Sequence, residues 1–192
     1  TSRGVFRWKP ACWLRVTGSD ATTFLQGQFS QDLRAAGTSP VYGLWLTVKG
    51  KVLADSFVFR RDGSGGAEFW VGSYFSPAAV IRERLESYVI ADDVVVEDVG
   101  ADWAAVSFFG GAGETVAAPV ESESLFVFEG RRGRPARECI YRVSDGGPVS
   151  ADPGLSELAE ADLVRWRIEA GIPAIPADVG PADLPNEAGR SK

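Results

Sequence analysis

The sequence of 192 residues contains no histidine, no methionine and only two cysteines. Each shortage removes a chemistry. Without an imidazole there is no Ser-His-Asp or Cys-His machinery. Cys12 and Cys139 lie far apart and make no CxxC pair, so the chain alone cannot hold an iron–sulfur cluster or a tetrahedral zinc. No metal site is expected, and both cysteines read as ordinary, partly buried thiols. Any acid–base work falls to carboxylates, lysine, tyrosine or water. The absence of methionine extends to position 1, so Thr1 is not expected to be the translated start. No apolar run approaches the roughly 20 residues that span a bilayer, and TSRGVFRWKPACWLRV lacks the apolar core of a signal peptide. The expectation is a soluble, cytoplasmic protein with no membrane partner. Positive charge is in deficit too, with 20 Lys and Arg against 26 Asp and Glu, a net charge of -6. Such a chain repels phosphate backbones, and no direct nucleic-acid partner is expected.

What remains is ordinary for a globular protein: 45% apolar and 24% charged residues. The length suits one large or two small domains. WLRVT (Trp13 to Thr17) reads as a strand, and Gly18-Ser19-Asp20 as a turn with a helix N-cap candidate. The helix that follows is expected to bury Phe24, Leu25 and Phe29, with Gly27 allowing close backbone approach. VYGLWLTV and KVLADSFVFRR form a hairpin about Lys49-Gly50, and AEFWVGS adds a strand. Ser76-Pro77 opens a second helix with Pro77 at its first position. Val94 to Val99 closes the unit. This order is that of a split βαβ, or ferredoxin-like, α+β sandwich. A second unit starts at WAAVSFFGG, with strands near Leu125–Glu129 and Cys139–Val143. It ends in a helix from about Ser156 to Ala170, with Gly171 at the C′ position, and an extended, proline-punctuated tail. The boundaries expected are 13–99 for the first subdomain and 100–192, with 1–12, for the second.

Two acids stand out. Side chains alternate along a strand, so in GKVLADSFVFR the carboxylate of Asp55 points to the same side as Leu53, Phe57 and Phe59. An unpaired buried carboxylate costs several kcal/mol, on the order of the penalty known for buried ions. Asp55 therefore pairs with Lys49, Lys51 or an arginine, sits where the sheet frays to water, or meets a ligand bearing N–H groups. Glu169, in RWRIEAGIP, shares a helical stripe with Leu155, Leu158, Asp162 and Trp166. Either it lies in solvent at a frayed last turn, paired weakly with Arg165, or it serves a ligand, since an acid at a helix C-terminus is mildly unfavourable. GRRGRPAR, carrying Arg131, Arg132, Arg134 and Arg137, reads as a solvated hairpin loop or a grip for phosphate or a polyanionic tail. FFGGAGE (Phe108 to Glu114) lacks the spacing of a phosphate loop and reads as a strand-to-helix turn.

Taken in order, WLRVTGSDATTFLQGQFSQDL, GKVLADSFVFR, RIEAGIP and LPNEAG resemble the YgfZ-type folate-binding proteins. These are related to the aminomethyltransferase (T-protein) of the glycine cleavage system. The resemblance implies an α+β fold of two ferredoxin-like subdomains and a site for tetrahydrofolate or a one-carbon derivative. It implies that Asp55 faces the folate, as the T-protein's catalytic acid does, and that Glu169 hydrogen-bonds the pterin. Phe57 and Trp166 are expected as apolar walls. Ala54-Asp55, where T-proteins usually carry two acids, and the wording FLQGQFSQDL favour the YgfZ branch. That branch implies an accessory role in iron–sulfur protein maturation or repair, with iron–sulfur client or assembly proteins as partners and indirect effects on tRNA modification. The enzymatic alternative is aminomethyl or other one-carbon transfer, and a further alternative is a ligand-free scaffold. The resemblance also implies a C-terminal β-barrel and, for the YgfZ branch, a K-G-C-Y-x-G-Q-E motif soon after LPNEAG. Neither is in these 192 residues, so the chain is expected to be a truncated piece or to lack the family's working cysteine.

Overall fold

A computed structural model describes residues 3–37, 39–63, 65–111, 116–117, 124–150 and 154–188. Among them the strands are β1 (Gly4–Trp8), β2 (Cys12–Thr17), β3 (Val41–Leu46), β4 (Val52–Gly63), β5 (Gly66–Ser73), β6 (Val95–Asp98), β7 (Trp103–Phe109), β8 (Val116–Ala117), β9 (Leu125–Glu129), β10 (Ala136–Arg142), β11 (Val149–Ser150) and β12 (Ser156–Glu157). The α-helices are α1 (Ala21–Gln28), α2 (Ala78–Glu86) and α3 (Glu160–Glu169). They form two compact units. The first comprises Pro10–Ala101 with Ala174–Lys192, and the second Thr1–Lys9 with Asp102–Pro173. No helix among the described residues is long and apolar enough to cross a membrane.

The first unit carries an antiparallel sheet in the order β3-β4-β5-β2-β6. Removing the edge strand β3 leaves the split βαβ arrangement expected from the sequence. The face toward the helices is made by alternation. Cys12, Leu14 and Val16 of β2 and Ala54 and Val58 of β4 pack with Ala21, Phe24 and Leu25 of α1 and Ile81 and Leu85 of α2. Each large apolar side chain so buried contributes about 1.5–3 kcal/mol. Trp45 belongs to this core, and its indole N–H donates to Ser56 Oγ at 2.9 Å.

Several local expectations are refined. α1 stops at Gln28, and Phe29 turns extended, its ring 4.8 Å from that of Trp45. Asp20 stands at the N-cap but makes no capping bond. Its carboxylate accepts instead from the Asp93 backbone N–H, while the Asp93 carboxylate accepts from Ser19. That clasp explains Gly18, whose φ is +120° and whose missing Cβ leaves room for the Asp93 carbonyl. Gly27 faces open space, so close backbone approach is not its role. Pro77 occupies the N-cap of α2.

The tail, expected to be extended and to go with the second subdomain, folds into turns and belongs to the first unit. The reason is apolar burial beside the β3–β4 hairpin, where Ile175, Val179 and Ala188 pack with Val52, Leu44 and Leu46. The Asp183 carbonyl accepts from the Val52 N–H, and Lys51 Nζ donates to the Ala182 carbonyl.

The second unit carries a sheet in the order β12-β1-β7-β10-β9, with β12 parallel to β1 and the other pairs antiparallel. On one face Val5, Val106, Phe108, Leu125 and Cys139 cluster. On the other, Phe109 and Ala136 receive Leu163 and Trp166 of α3, with Phe6 and Leu158 at the margin. The helix starts later than expected, because Ser156–Glu157 pairs with β1 as a strand. Leu155 and Leu158 therefore lie outside the helical stripe of Asp162, Trp166 and Glu169. The helix ends as the sequence indicates. Gly171 has φ +66°, its N–H donates to the Ile168 carbonyl and the Ile172 N–H to the Arg167 carbonyl, a Schellman closure. Of FFGGAGE, residues 112–114 lie outside the described residues, as does Gly189.

Candidate functional site

β4 turns Ala54 and Val58 toward the helices, so Asp55 and Phe57 project from the opposite side. Asp55 is only 5% exposed. Among the described residues no lysine or arginine forms an ion pair with it, which sets aside the expected pairing with Lys49, Lys51 or an arginine. Its partners are neutral hydroxyls. Ser73 Oγ and Ser76 Oγ donate to Oδ1 at 2.9 and 2.7 Å, and the Tyr42 hydroxyl donates to Oδ2 at 2.9 Å.

The chain supplies this cage where β5 ends. Ser73 is the last residue of β5, and the turn to α2 brings Ser76 back onto β4. Ser73 Oγ accepts from the backbone N–H groups of Phe75 and Ser76, which fixes the turn. Ser76 Oγ in turn accepts from the Asp55 N–H at 3.0 Å and lies 2.9 Å from the Ile175 carbonyl oxygen. A carboxylate has about four acceptor positions, so these three donors leave Oδ2 with capacity to spare.

Rings crowd the same place. The Phe57 ring lies 5.2 Å from that of Tyr42 and 5.4 Å from that of Tyr74, and Tyr74 lies 6.0 Å from Phe75. The structure thus brings Asp55 and Phe57 together through Tyr42. Tyr42, Ser73, Ser76 and Tyr74 were not singled out from the sequence. The signal available was the pair of serines three residues apart ahead of Pro77, of which Ser73 was read as a strand end and Ser76 as a helix start.

The other two expected site residues lie in the second unit, on α3. Trp166 is buried, 5.2 Å from the Phe109 ring, and the Arg134 guanidinium lies 4.9 Å over its indole. Glu169 is exposed and meets Arg134 at 3.9 Å. The pairing expected with Arg165 is not made, since Arg165 donates to Asp162 at 3.1 Å.

The arginine loop is not simply solvated. Arg132 is buried, and its Nε donates to Glu138 Oε1 at 3.1 Å; Glu138 is fully buried and also accepts from Ser107 Oγ at 2.6 Å. The guanidinium of Arg132 lies 4.5 Å from the centre of the Trp8 ring. Glu138 repeats the pattern of Asp55, an acid on an apolar strand face between Ala136 and Ile140. Both cysteines are buried and free. Burial pushes the Cys139 thiol up to about 12, and raises that of Cys12 as well. Neither is a nucleophile in the folded chain. No group of three or more potential metal ligands occurs among the described residues.

No family model matches the chain. Over 62 residues, 29% of this chain and 15% of the relative, it is 36% identical to the iron-sulfur cluster assembly factor IBA57 homolog, mitochondrial, of Coccidioides immitis. In fold it is similar to the glycine cleavage system aminomethyltransferase T from Bartonella henselae, with a TM-score of 0.73 and 17% identity over 96% of this chain. The chain spans 55% of that structure and a smaller part of the fungal relative. The fold likeness agrees with the resemblance carried by the four sequence motifs: the chain has an α+β fold similar to that of aminomethyltransferase T.

Proposed function

We propose that the chain is a tetrahydrofolate-binding accessory factor in the maturation or repair of iron–sulfur proteins, acting indirectly on tRNA modification through its clients. The observation that carries this reading is Asp55: a buried carboxylate held by hydroxyls, with no ion-pair partner among the described residues and acceptor capacity left on Oδ2 beside the rings of Tyr42 and Phe57. A pterin is a flat heteroaromatic ring edged with N–H donors, and this acid and these rings fit it. Tetrahydrofolate supplies the one-carbon chemistry when bound. The chain's own part is to accept the ring's N–H groups at Asp55 and Glu169 and to offer Phe57 and Trp166 as apolar contacts. The fungal relative supports the iron–sulfur role through its name, which also places that protein in mitochondria; for this chain we keep the cytoplasmic setting.

Calorimetry with tetrahydrofolate on the whole chain tests the reading. Asp55→Asn and Glu169→Gln are each expected to weaken binding about tenfold or more, the loss of charge-assisted hydrogen bonds. Equal affinity in the two variants and the wild type would reject the site. The fold shared with aminomethyltransferase T favours one alternative, aminomethyl transfer on the same ligand with Asp55 as the acid. Sustained turnover with a lipoyl-carrier substrate would replace the accessory role by that activity.

A further inference from the structure

In the second unit a concavity of about 430 Å³ opens between the end of β7, the β9–β10 loop and α3. Phe109, Gly110, Gly111, Arg134, Pro135, Arg165 and Trp166 line it. Its size lies within the range of small-molecule sites, about 300–1,000 Å³, and exceeds what a single inorganic anion fills.

The wall that carries Arg134 is fixed at both ends. Arg132, two residues earlier, is anchored by the buried bond to Glu138. Gly133 has φ +79° and abuts the Trp166 carbonyl so closely that a Cβ would collide with it. Between these anchors and Pro135, Arg134 is laid over the Trp166 ring. A guanidinium stacked through its face keeps its in-plane N–H groups for other partners. Among the described residues Arg134 has only the long 3.9 Å contact with Glu169 to engage them. Arg165 spends one N–H on Asp162. Two guanidinium groups therefore border a recess whose other side chains, among the described residues, are Phe109, Pro135 and Trp166.

We propose that this recess binds a planar organic carboxylate, its acid gripped by Arg134 and Arg165 and its apolar body resting on Pro135 and the Trp166 and Phe109 rings. The fork of an arginine matches a carboxylate in two parallel hydrogen bonds, and the apolar floor selects a flat body over a bare ion. This site shares the Trp166 ring with the tetrahydrofolate reading but does not require Asp55.

The test uses the whole chain and titrates benzoate, its neutral analogue benzamide, and inorganic phosphate, read by the shift of the Trp166 indole N–H resonance. Benzoate is expected to saturate the shift, with benzamide and phosphate about tenfold weaker. Arg134→Gln is expected to lower benzoate to the benzamide level, and Arg165→Gln to act in the same direction. Both arginines are partly exposed, so these variants keep the fold, and thermal melting verifies it. Asp55→Asn is expected to leave benzoate binding unchanged, which separates this site from the tetrahydrofolate reading. Equal binding of benzoate and benzamide, phosphate matching benzoate, no benzoate shift at all, or an unaffected Arg134→Gln variant would each overturn the proposal.

Discussion

Glu138→Gln is expected to be among the most damaging conservative substitutions in this chain. The change removes one oxygen's charge and almost no volume, so packing is not the cause. It leaves the Arg132 guanidinium buried against the Trp8 and Phe6 rings, with a neutral amide in place of the Glu138 carboxylate. Removing one partner of a buried pair costs about 3–5 kcal/mol. A domain's whole stability is about 5–15 kcal/mol, so the loss is a large share. At about 2–4 °C per kcal/mol for a chain of this size, melting should fall by about 6–20 °C. Urea unfolding followed by tryptophan fluorescence measures it. Arg132→Met removes the other charge, and the double variant closes the cycle. Once neither charge is buried, the double variant is expected to lose at least about 1 kcal/mol less than the sum of the two single losses. A single-variant loss below about 1 kcal/mol, or strict additivity, would refute the argument that this pair is desolvated and mutually dependent.

Two other expectations follow from geometry and burial. Gly133→Ala places a Cβ against the Trp166 carbonyl at a left-handed φ of +79°; it should cost more than about 2 kcal/mol in chemical denaturation, and a neutral effect would show that the loop does not sit on α3. For Cys139, burial holds the folded thiol protonated up to about 12, above its ordinary value of 9.0. Thiolate forms first in the unfolded chain, so the stability contribution is full below pH 9 and is lost as pH rises toward 12. The urea midpoint should therefore fall from pH 9 to 10.5, and less steeply in Cys139→Ala; equal slopes would exclude the thiol as the cause.

Much of the first unit was legible because its information is local. The period-2 pattern of β4 and the i, i+3, i+4 spacing of Ala21, Phe24 and Leu25 or of Ile81 and Leu85 define one buried side each. The side on which Asp55 points followed from the same alternation. What failed was of another kind. The fate of Ile175 and Val179 depends on a hairpin more than a hundred residues earlier, and no local period encodes it. The loop arginines were read as a solvated group or an anion grip, yet the acid that draws Arg132 inward was visible by the rule applied to Asp55, since Glu138 alternates with Ala136 and Ile140 in ARECIYR. The hydroxyls around Asp55 come from β3 and from the turn after β5, and a sequence does not say which serines a carboxylate will find.

The Ser76 hydroxyl owns a single hydrogen but stands within bonding range of two oxygens, one on Asp55 and one on the backbone of Ile175. Whenever another donor satisfies the acid, that hydrogen is released to the Ile175 carbonyl. Occupancy at the carboxylate and the seating of residues after Ala174 are thus wired through one rotating O–H bond, and chain-end amide exchange rates should register what happens at residue 55.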